Sequence, residues 1–376
     1  MDKDFLEEAE KMRNDKLFKV DDFYFDNFPR LSADFKENFR QACEVILQLQ
    51  KEGKAGELGF AEYAFKREDI LARNYNVEMW VYGRLYWEDK MQVPTGHFLD
   101  ISPFFQYFDE LWDELSALVK QNAWKVNADV IKEFMWDSVH AYFYQFVYNL
   151  GYYSIVDCID KDYFTAIKKR PRFEIWTGEL GENTKNPIHK INLDKDSAKL
   201  LKQFKKKDKS HYRYEDLTNL DFSGADLSGI DFRCSDFRYS VLKDVNFRKA
   251  TLFRARFAGA NLENANLNLA SVSGADFTGA NLKNANIEFS VAQYKIPGVK
   301  WGFVGYFPVS FQNADLRGAN FIGAGIEKAD FTGALMDSAN FNRDWWESRL
   351  DLTPEQLNSI IFVDDEYSEF VKKEDL

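Results

Sequence analysis

The stretch "GANLENANLNLA", residues 259–270, has a five-residue period that decides the fold. Ala260, Ala265 and Ala270 recur at every fifth position, and Leu262 and Leu267 follow the first two alanines by two residues. An α-helix rotates residues five apart by about 140°, and a β-strand places them on opposite faces. Since neither element keeps the leucines on one side, the chain must turn once in every five residues.

The same frame covers most of the C-terminal half of the chain. Fifteen large apolar residues occupy its centres from Leu217 to Ile287, and seven more follow from Phe311 to Phe341, one step out of phase. These structural core positions include Phe257, Leu262, Leu267, Phe277, Leu282, Leu316, Phe321, Phe331 and Phe341. If four pentapeptides close a square coil, all centres point to the axis and stacked coils pair as parallel strands about 4.8 Å apart. The pattern predicts roughly five and a half such coils.

The residues around each centre also have predictable places. Two residues before it the side chain is mostly Ala or Ser, and enlarging such a residue inside a narrow axis should cost about 1–3 kcal/mol. Asn or Asp directly before the centre suits a corner, because a short polar side chain can bond nearby backbone. Glycine often follows two residues after the centre, at the conformationally tolerant corner position; examples are Gly224, Gly229, Gly274, Gly279, Gly318, Gly323 and Gly333.

Residues 213–343 resemble the pentapeptide-repeat family, whose motif is a small residue, Asn or Asp, Leu or Phe, and two variable residues. The resemblance implies an all-β, right-handed quadrilateral β-helix. The best-known members mimic duplex DNA and bind type II topoisomerases, so it also implies an alternative function as a binder or protector of DNA gyrase. The repeat motif itself specifies architecture only.

Charge along the repeats does not favour DNA mimicry. Residues 213–344 contain 14 Lys and Arg against 15 Asp and Glu, whereas residues 345–376 contain nine acidic and three basic residues. One belt, residues 233–256, is basic; its partner-binding candidates are Arg233, Arg238, Arg248 and Arg254, beside Lys243, Lys249 and Arg256. This belt is either a solvated surface, a dock for the protein's own acidic C-terminal helix, or a site for an external acidic partner or phosphate.

The interruption between the two repeat blocks is the second candidate for partner binding. Residues 293–308 contain several Pro and Gly breakers together with Trp301, Phe303, Tyr306 and Phe307. A polar sequence is usual for a surface loop, so this loop either packs on its own chain or binds a partner.

Both ends of the repeats carry helix signals. Residues 196–212 predict a basic helical linker, and Thr353, Pro354 and Gln356 predict the start of a C-terminal capping helix in residues 345–376. Segments like this one also form dimer interfaces in several members of the family, which implies a possible homodimer through this end.

Residues 1–195 lack the period and predict a helix-rich α+β domain. Expected helices run from 33 to 51 with Ser32 as cap, from 102 to 121, and from 127 to 150 with Gly151 as stop; strands are expected in 60–87 and 172–179. The arrangement loosely resembles an N-terminal domain of some bacterial pentapeptide-repeat proteins.

No feature of the sequence favours catalysis. The four histidines lack metal-site spacing and no catalytic or phosphate-binding motif occurs, so no cofactor or metal is expected. The carboxylates of "DELWDEL", residues 109–115, fit a solvated helix face as well as a site. Three dispersed cysteines, Cys234 expected outward among them, a charged N-terminus and no long apolar run predict a cytoplasmic protein without a membrane segment. The formal charge of -12 argues against direct nucleic-acid binding.

Three functions follow in order of preference. The first is a non-enzymatic scaffold for protein–protein interaction, the second is topoisomerase binding, and the third is an enzyme in the N-terminal domain.

Overall fold

A computed structural model describes residues 3–83, 92–121, 126–181, 185–205, 212–292, 307–326, 328–343 and 351–363. The chain forms two compact units, with the first reaching Leu193 and the second beginning at Asp194. None of the helices in these ranges combines the length and the apolar character that crossing a bilayer requires.

The first unit combines helices with one mixed sheet, as expected for an α+β domain. In chain order its elements are α1 (Lys3–Lys51), β1 (Leu58–Phe65), α2 (Arg67–Leu71), β2 (Asn76–Tyr82), β3 (Gln92–Asp100), α3 (Ser102–Gln121), α4 (Ala128–Ser138), a π-helical segment (Val139–Phe143), α5 (Tyr144–Ser154), a 3-10 turn (Ile155–Asp157), α6 (Asp162–Thr165), β4 (Lys169–Glu179) and β5 (Lys185–Asn192).

The sheet has the strand order β3-β2-β1-β4-β5. Strand β1 pairs parallel with β4, and the other neighbours are antiparallel. Its helix-covered face includes Tyr63, whose ring lies 5.6 Å from that of Phe35 on α1. On the same face, Tyr144 of α5 and Thr177 of β4 share a hydrogen bond. The core of this unit therefore lies between the sheet and α1 and α5.

The prediction that a helix begins at Ser32 is wrong, because α1 begins at Lys3 and passes through Pro29. Ser32 is buried, and its Oγ accepts a hydrogen bond from Ser154 at 2.8 Å. A proline inside a helix costs about 3 kcal/mol. Burial of upstream residues such as Phe5 and Leu17 outweighs that cost and the local capping preference of Ser32.

The other helix predictions differ in accuracy. The start of α3 at Ser102 is confirmed, and so is Asn127 as the cap of α4, since its Oδ1 accepts from Val130 N at 3.0 Å. The expected stop at Gly151 is wrong, because α5 continues to Ser154. A Cβ on Gly151 would lie 2.9 Å from Ile188 Cδ1, so this glycine provides room for β5 rather than a helix end.

The strand predictions are confirmed in part. β4 contains the predicted 172–179 segment, β2 lies within 60–87, and β1, separated from it by α2, begins two residues before that range. Strands β3 and β5 were not predicted.

In the second unit, residues twenty apart pair as parallel bridges, for example Asp216 with Asp236 and Asn261 with Asn281. Four pentapeptides therefore make one coil, as the period predicts. We call the four sides walls A to D. Their central residues are Leu217, Phe237, Phe257, Phe277, Phe311 and Phe331 in wall A; Phe222, Leu242, Leu262, Leu282, Leu316 and Met336 in wall B; Leu227, Phe247, Leu267, Ile287, Phe321 and Phe341 in wall C; and Phe232, Leu252, Val272 and Ile326 in wall D, where Ala292 takes the position before the loop.

The axis is filled by these central residues. All twenty-two that the frame identifies are at most 2% exposed, including Leu262 at 0% and Leu267 at 1%. In wall A the phenyl rings form a stack, with centroids 5.0 Å apart for Phe237 and Phe257 and 4.8 Å for Phe257 and Phe277. The inward placement of the repeat centres is thus confirmed.

The corners have the predicted chemistry. The Asp or Asn before a centre accepts from the backbone N–H two residues later, as Asp221 does from Ser223 at 2.9 Å. The residue two after a centre, which we call the corner residue, has positive φ in glycines such as Gly279 (64°) and in Asn264 (58°). Turn, side-chain bond and backbone conformation therefore repeat together.

At the N-terminal end of the coils, helix α7 (Ser197–Phe204) lies within the predicted 196–212 linker. Asp196 caps it by accepting from Lys199 N at 2.8 Å. Its last residue, Phe204, packs with ring centroids 5.9 Å from Phe222 and 5.5 Å from Phe232. Phe204 is therefore part of the solenoid core, and Leu200 and Leu201 of the same helix pack against that core.

At the other end, β6 (Asn340–Asn342) pairs parallel with β7 (Ile361–Val363), which follows helix α8 (Pro354–Ser359). The predicted helix start at Thr353 and Pro354 is confirmed, with a reciprocal capping box between Thr353 and Gln356. The Gln356 Nε2 also donates to the carbonyls of Phe331 at 2.8 Å and Ala334 at 3.1 Å.

Candidate interaction surfaces

The basic belt of residues 233–256 is largely neutralised by pairing. Arg233 donates to Asp231 at 2.6 Å, and Arg238 donates to Asp236 at 2.9 Å. Lys243 pairs with Glu263 at 3.4 Å. Arg238 and Arg254 are only 8% and 4% exposed. These two residues therefore do not present charge on the surface as a solvated belt would.

The pairs affect the carboxyl groups as well as the arginines. Burial would raise the pKa of Asp231, but hydrogen bonds from Arg233 and Arg213 outweigh it and lower the pKa below its usual value. In wall B, hydrogen bonding from Arg317 lowers the pKa of Asp315. Both carboxylates are therefore held ionised by neighbours and are engaged within the solenoid.

Arg248 and Lys249 are the part of the belt that stays exposed. Both follow the wall C centre Phe247, at the next two positions. Within the described residues, no ion pair to either side chain occurs. Of the predicted candidates, Arg248 is thus the one whose charge is available to a ligand.

Next to these cations, the corner residues of wall C form an apolar strip. In consecutive coils the positions are held by Gly229, Lys249, Leu269, Phe289, Gly323 and Arg343; we call this set the C corner column. Leu269 is 41% exposed, and Phe289 is half-buried. The ring of Phe289 lies over Gly323, where a Cβ would collide with it. Between Lys249 and Arg343 the column therefore presents the apolar side chains of Leu269 and Phe289 and the backbone of Gly323.

The flat part of wall C beside this column is an amide network around one carboxylate. Glu288 accepts from the amides of Asn320 at 2.7 Å, Asn286 at 3.2 Å and Asn268 at 3.4 Å. Three donors disperse its charge, which limits repulsion of an approaching anion.

The C corner column was missed from the sequence. Positions two after a centre are usually filled by Gly, Asn or charged residues, and Leu269 and Phe289 depart from that rule with φ of 59° and 52°. An L-residue with a branched or aromatic side chain rarely adopts this conformation. That departure is the signal that could have identified them.

The interrupting loop leaves the coil without altering it. Asp276 pairs with Ser310 across 34 residues, in place of the usual 20. Even so, the Phe277 and Phe311 rings are 5.1 Å apart, as in the uninterrupted part of the stack. Trp301, Phe303 and Tyr306 lie outside the described residues, and Phe307 is half-buried.

Cys234 was expected to face outward, and that expectation is wrong because it is 7% exposed. It is a corner residue of wall D with φ of 59°. Tyr214 and Arg254 occupy the same position in the coils on either side, about 4.8 Å away. Flanking by two much larger side chains accounts for its low exposure.

Glu110, Asp113 and Glu114 are exposed on α3, as the interpretation as a solvated helix face predicts, and they are also ion-paired. Lys16 of α1 contacts Glu110 and Glu114, each at 2.7 Å. Burial opposes protonation of Lys16, but these hydrogen bonds raise its pKa above the usual value. On the adjacent turn, Arg73 bonds Asp113 and Tyr75 bonds Asp109 at 2.5 Å. The four acids therefore connect α3 to α1 and to the segment before β2.

The described histidines also have structural surroundings. His97 contacts the carbonyl of Asn38 at 3.0 Å, and His140 lies 3.2 Å from Glu179. His189 is buried, and His211 lies outside the described residues. In the part of the chain with described positions, no group of three or more potential metal ligands converges.

The coils match a known family. The family model described as "Pentapeptide repeats (8 copies)" matches residues 216–252, 255–288 and 309–343. A search of curated proteins gave no match.

Solved structures similar to the chain come from plants and bacteria. A pentapeptide repeat protein of the Arabidopsis thaliana thylakoid lumen is 28% identical, with 37% of this chain and 73% of that chain covered and a TM-score of 0.21. Rfr23 from the cyanobacterium Cyanothece 51142 is 23% identical, with 34% and 83% covered and a TM-score of 0.16. QnrB1, a plasmid-mediated fluoroquinolone resistance protein, is 20% identical, with 43% and 88% covered and a TM-score of 0.15.

Proposed function

We propose that this chain, whose residues 216–252, 255–288 and 309–343 match the pentapeptide-repeat model, is a non-enzymatic scaffold for protein–protein interaction that presents residues 293–308 to a partner. The binding residues in this proposal are Trp301, Phe303, Tyr306 and Phe307. A rigid support suits such a role, because a loop held at fixed ends loses less conformational freedom on binding.

The uninterrupted wall A stack is the observation that supports this proposal. The coil resumes at Ser310 with the bridge, hydrogen bonds and ring spacing of the other coils. The loop is therefore not needed to complete the axis. An aromatic insertion that the coil does not need is expected to serve binding.

Deleting the loop tests the proposal. Removing residues 295–308 takes out fourteen residues and returns the pair separation across this site from 34 to 20. Gln293 and Tyr294 then occupy the two positions after Ala292, and tyrosine already adopts the corner conformation at Tyr214 and Tyr239.

We expect affinity capture from extracts of the native host to recover at least one protein with the full chain that the deletion variant loses. A chain with Trp301→Ala and Phe303→Ala should lose the same protein. Because this variant keeps the length of the loop, it controls for the change in length that the deletion causes. Retention of every captured protein by both variants would contradict the proposal.

A type II topoisomerase is the second candidate partner, and the resemblance to the family is its support. A mimic of duplex DNA needs rows of available carboxylates, whereas Asp231, Asp236 and Asp315 are paired with arginines. Supercoiling by DNA gyrase with and without micromolar protein tests this candidate. An unchanged supercoiling rate excludes it.

We also propose that α8 and β7 cover the last coil and that this end forms a homodimer. Gln356 supports the covering role, because it donates to two carbonyls of the final turns and also completes the Thr353 capping box. Leu357 and Ile361 are exposed nearby in sequence, at 43% and 47%. Light scattering of the chain with Leu357→Asp and Ile361→Asp should report a monomer if the wild type is a dimer; a monomeric wild type contradicts the proposal.

A further inference from the structure

We propose that the acidic C-terminal segment, residues 364–376, docks along the C corner column of its own chain. The inference is independent of the loop and rests on where the described chain ends, on the charges along the column, and on the sequence of the segment.

The described chain ends at the top of this column. Val363 pairs with Asn342 on wall C, and Asn342 directly precedes Arg343, the last member of the column. Lys249 lies five coil spacings below residue 364, or about 24 Å at 4.8 Å per coil. Thirteen residues can extend roughly 43 Å. The segment therefore begins beside the column and is long enough to follow it to Arg248 and Lys249.

The order of chemistry along the column matches that along the segment. From top to bottom the column offers Arg343, whose guanidinium lies 5.5 Å from the centroid of the Phe362 ring, then the apolar side chains of Phe289 and Leu269, and then Lys249 with Arg248 beside it. The segment "DDEYSEFVKKEDL" begins with three acids, has Tyr367, Phe370 and Val371 in its middle, and carries Glu374 and Asp375 just before its last residue. It contains six carboxylates against two lysines. Charge and apolar surface are therefore complementary in the same order.

The environment of the column favours an anionic segment. Arg248 and Lys249 are exposed, with no ion pair to another described side chain. Glu288 is the acidic group beside Phe289, and three asparagine amides already bind it. Attachment to the same chain also gives the segment a high effective concentration, so individually weak contacts suffice.

Cysteine cross-linking in the full chain tests the docking. One variant carries Ser368→Cys with Leu269→Cys, and the matched control carries Ser368→Cys with Asn264→Cys. Leu269 and Asn264 are exposed corner residues of the same coil with φ of 59° and 58°, and Cys234 has the same conformation. The native cysteines are buried, which protects them during mild oxidation. Non-reducing gels and mass spectrometry measure the disulfide.

We expect the disulfide at position 269 to form about tenfold faster than at position 264. Adding Arg248→Glu and Lys249→Glu should remove the difference, whereas Lys283→Glu, an exposed charge change on wall B, should preserve it. High salt should reduce the difference as well, because exposed charges are screened.

Three results would overturn the inference. These are equal rates at the two positions, a preference for position 269 that survives reversal of Arg248 and Lys249, and a product of twice the chain mass, which would assign the column to the segment of a second copy. A melting curve of each variant confirms that the solenoid stays folded, so loss of the preference cannot be attributed to unfolding.

Discussion

The two units of this chain are stabilised by different kinds of contact. In the solenoid, one residue of each pentapeptide bridges to the equivalent residue of the next coil, twenty positions away or 34 across the loop, and the same environment recurs in each coil. In the first unit, each stabilising contact occurs once, as between Lys16 and Glu110, 94 residues apart. A repeated environment leaves a period in the sequence, and a unique environment does not. The consequences of a change should therefore differ between the units.

The largest effect should come from breaking the register of the solenoid. Deleting residues 296–308 removes thirteen residues and moves every later centre by one position relative to the coils before it. Phe311, Leu316 and Phe321 would then no longer face the axis, and the coils after Ala292 should unfold. Deleting residues 295–308 removes fourteen residues and should keep the coils.

Circular dichroism and limited proteolysis of the two deletions measure this difference. The variants differ by one residue, so composition and loop length are matched. Equal stability of the two would contradict a fixed twenty-residue coil.

The next effect is a cavity in the wall A stack. Phe277 lies between Phe257 and Phe311, with centroid distances of 4.8 and 5.1 Å. Phe277→Ala should lower the free energy of unfolding by about 3–5 kcal/mol, because neighbouring coils fixed by hydrogen bonds cannot collapse into the space. Urea unfolding measures the change. The exposed Lys283→Ala should alter it by less than about 0.5 kcal/mol; a similar loss from both variants would show that the axis is not the source of stability.

A smaller effect is expected at a single close contact in the first unit. Gly151→Ala gains about 1 kcal/mol in helix propensity but places a methyl group 2.9 Å from Ile188 Cδ1. Overpacking of this kind costs about 1–3 kcal/mol, so a net loss of about 1 kcal/mol is expected. Ile188→Val removes the colliding carbon, and the double variant should be more stable than the sum of the single changes predicts. Strict additivity in urea unfolding would contradict the steric explanation.

The sequence predicted the solenoid in detail and the first unit only in outline. A pattern that recurs in every coil predicts centres such as Leu262, the corner acids and the glycines with positive φ. The start of α1 could not be found, because Ser32 has the local signal of a cap and only the distant partner Ser154 shows that it is buried. The role of Gly151 could not be predicted either, because it depends on the close approach of Ile188.

Candidate surfaces were predicted less well than the core in both units. In the sequence, Arg238 and Arg248 occupy equivalent positions directly after a centre and cannot be distinguished. The structure shows that Arg238 is paired and nearly buried. Leu269 and Phe289 deviate from the corner pattern, and a deviation becomes informative only once the pattern's three-dimensional meaning is known.

The smallest expected effect is a change in the pH dependence of stability when a corner acid loses its arginine partner. Hydrogen bonding from Arg317 lowers the pKa of Asp315 in the folded chain. Its contribution to stability is therefore complete above the pKa of the unfolded chain and is lost as the pH falls through the lower folded pKa. Arg317→Met should remove this contribution and leave stability less dependent on pH across the acid range. Urea midpoints measured from pH 6 down to pH 3 test this; an identical pH dependence in the wild type and the variant would show that the exposed pair contributes nothing to the coil.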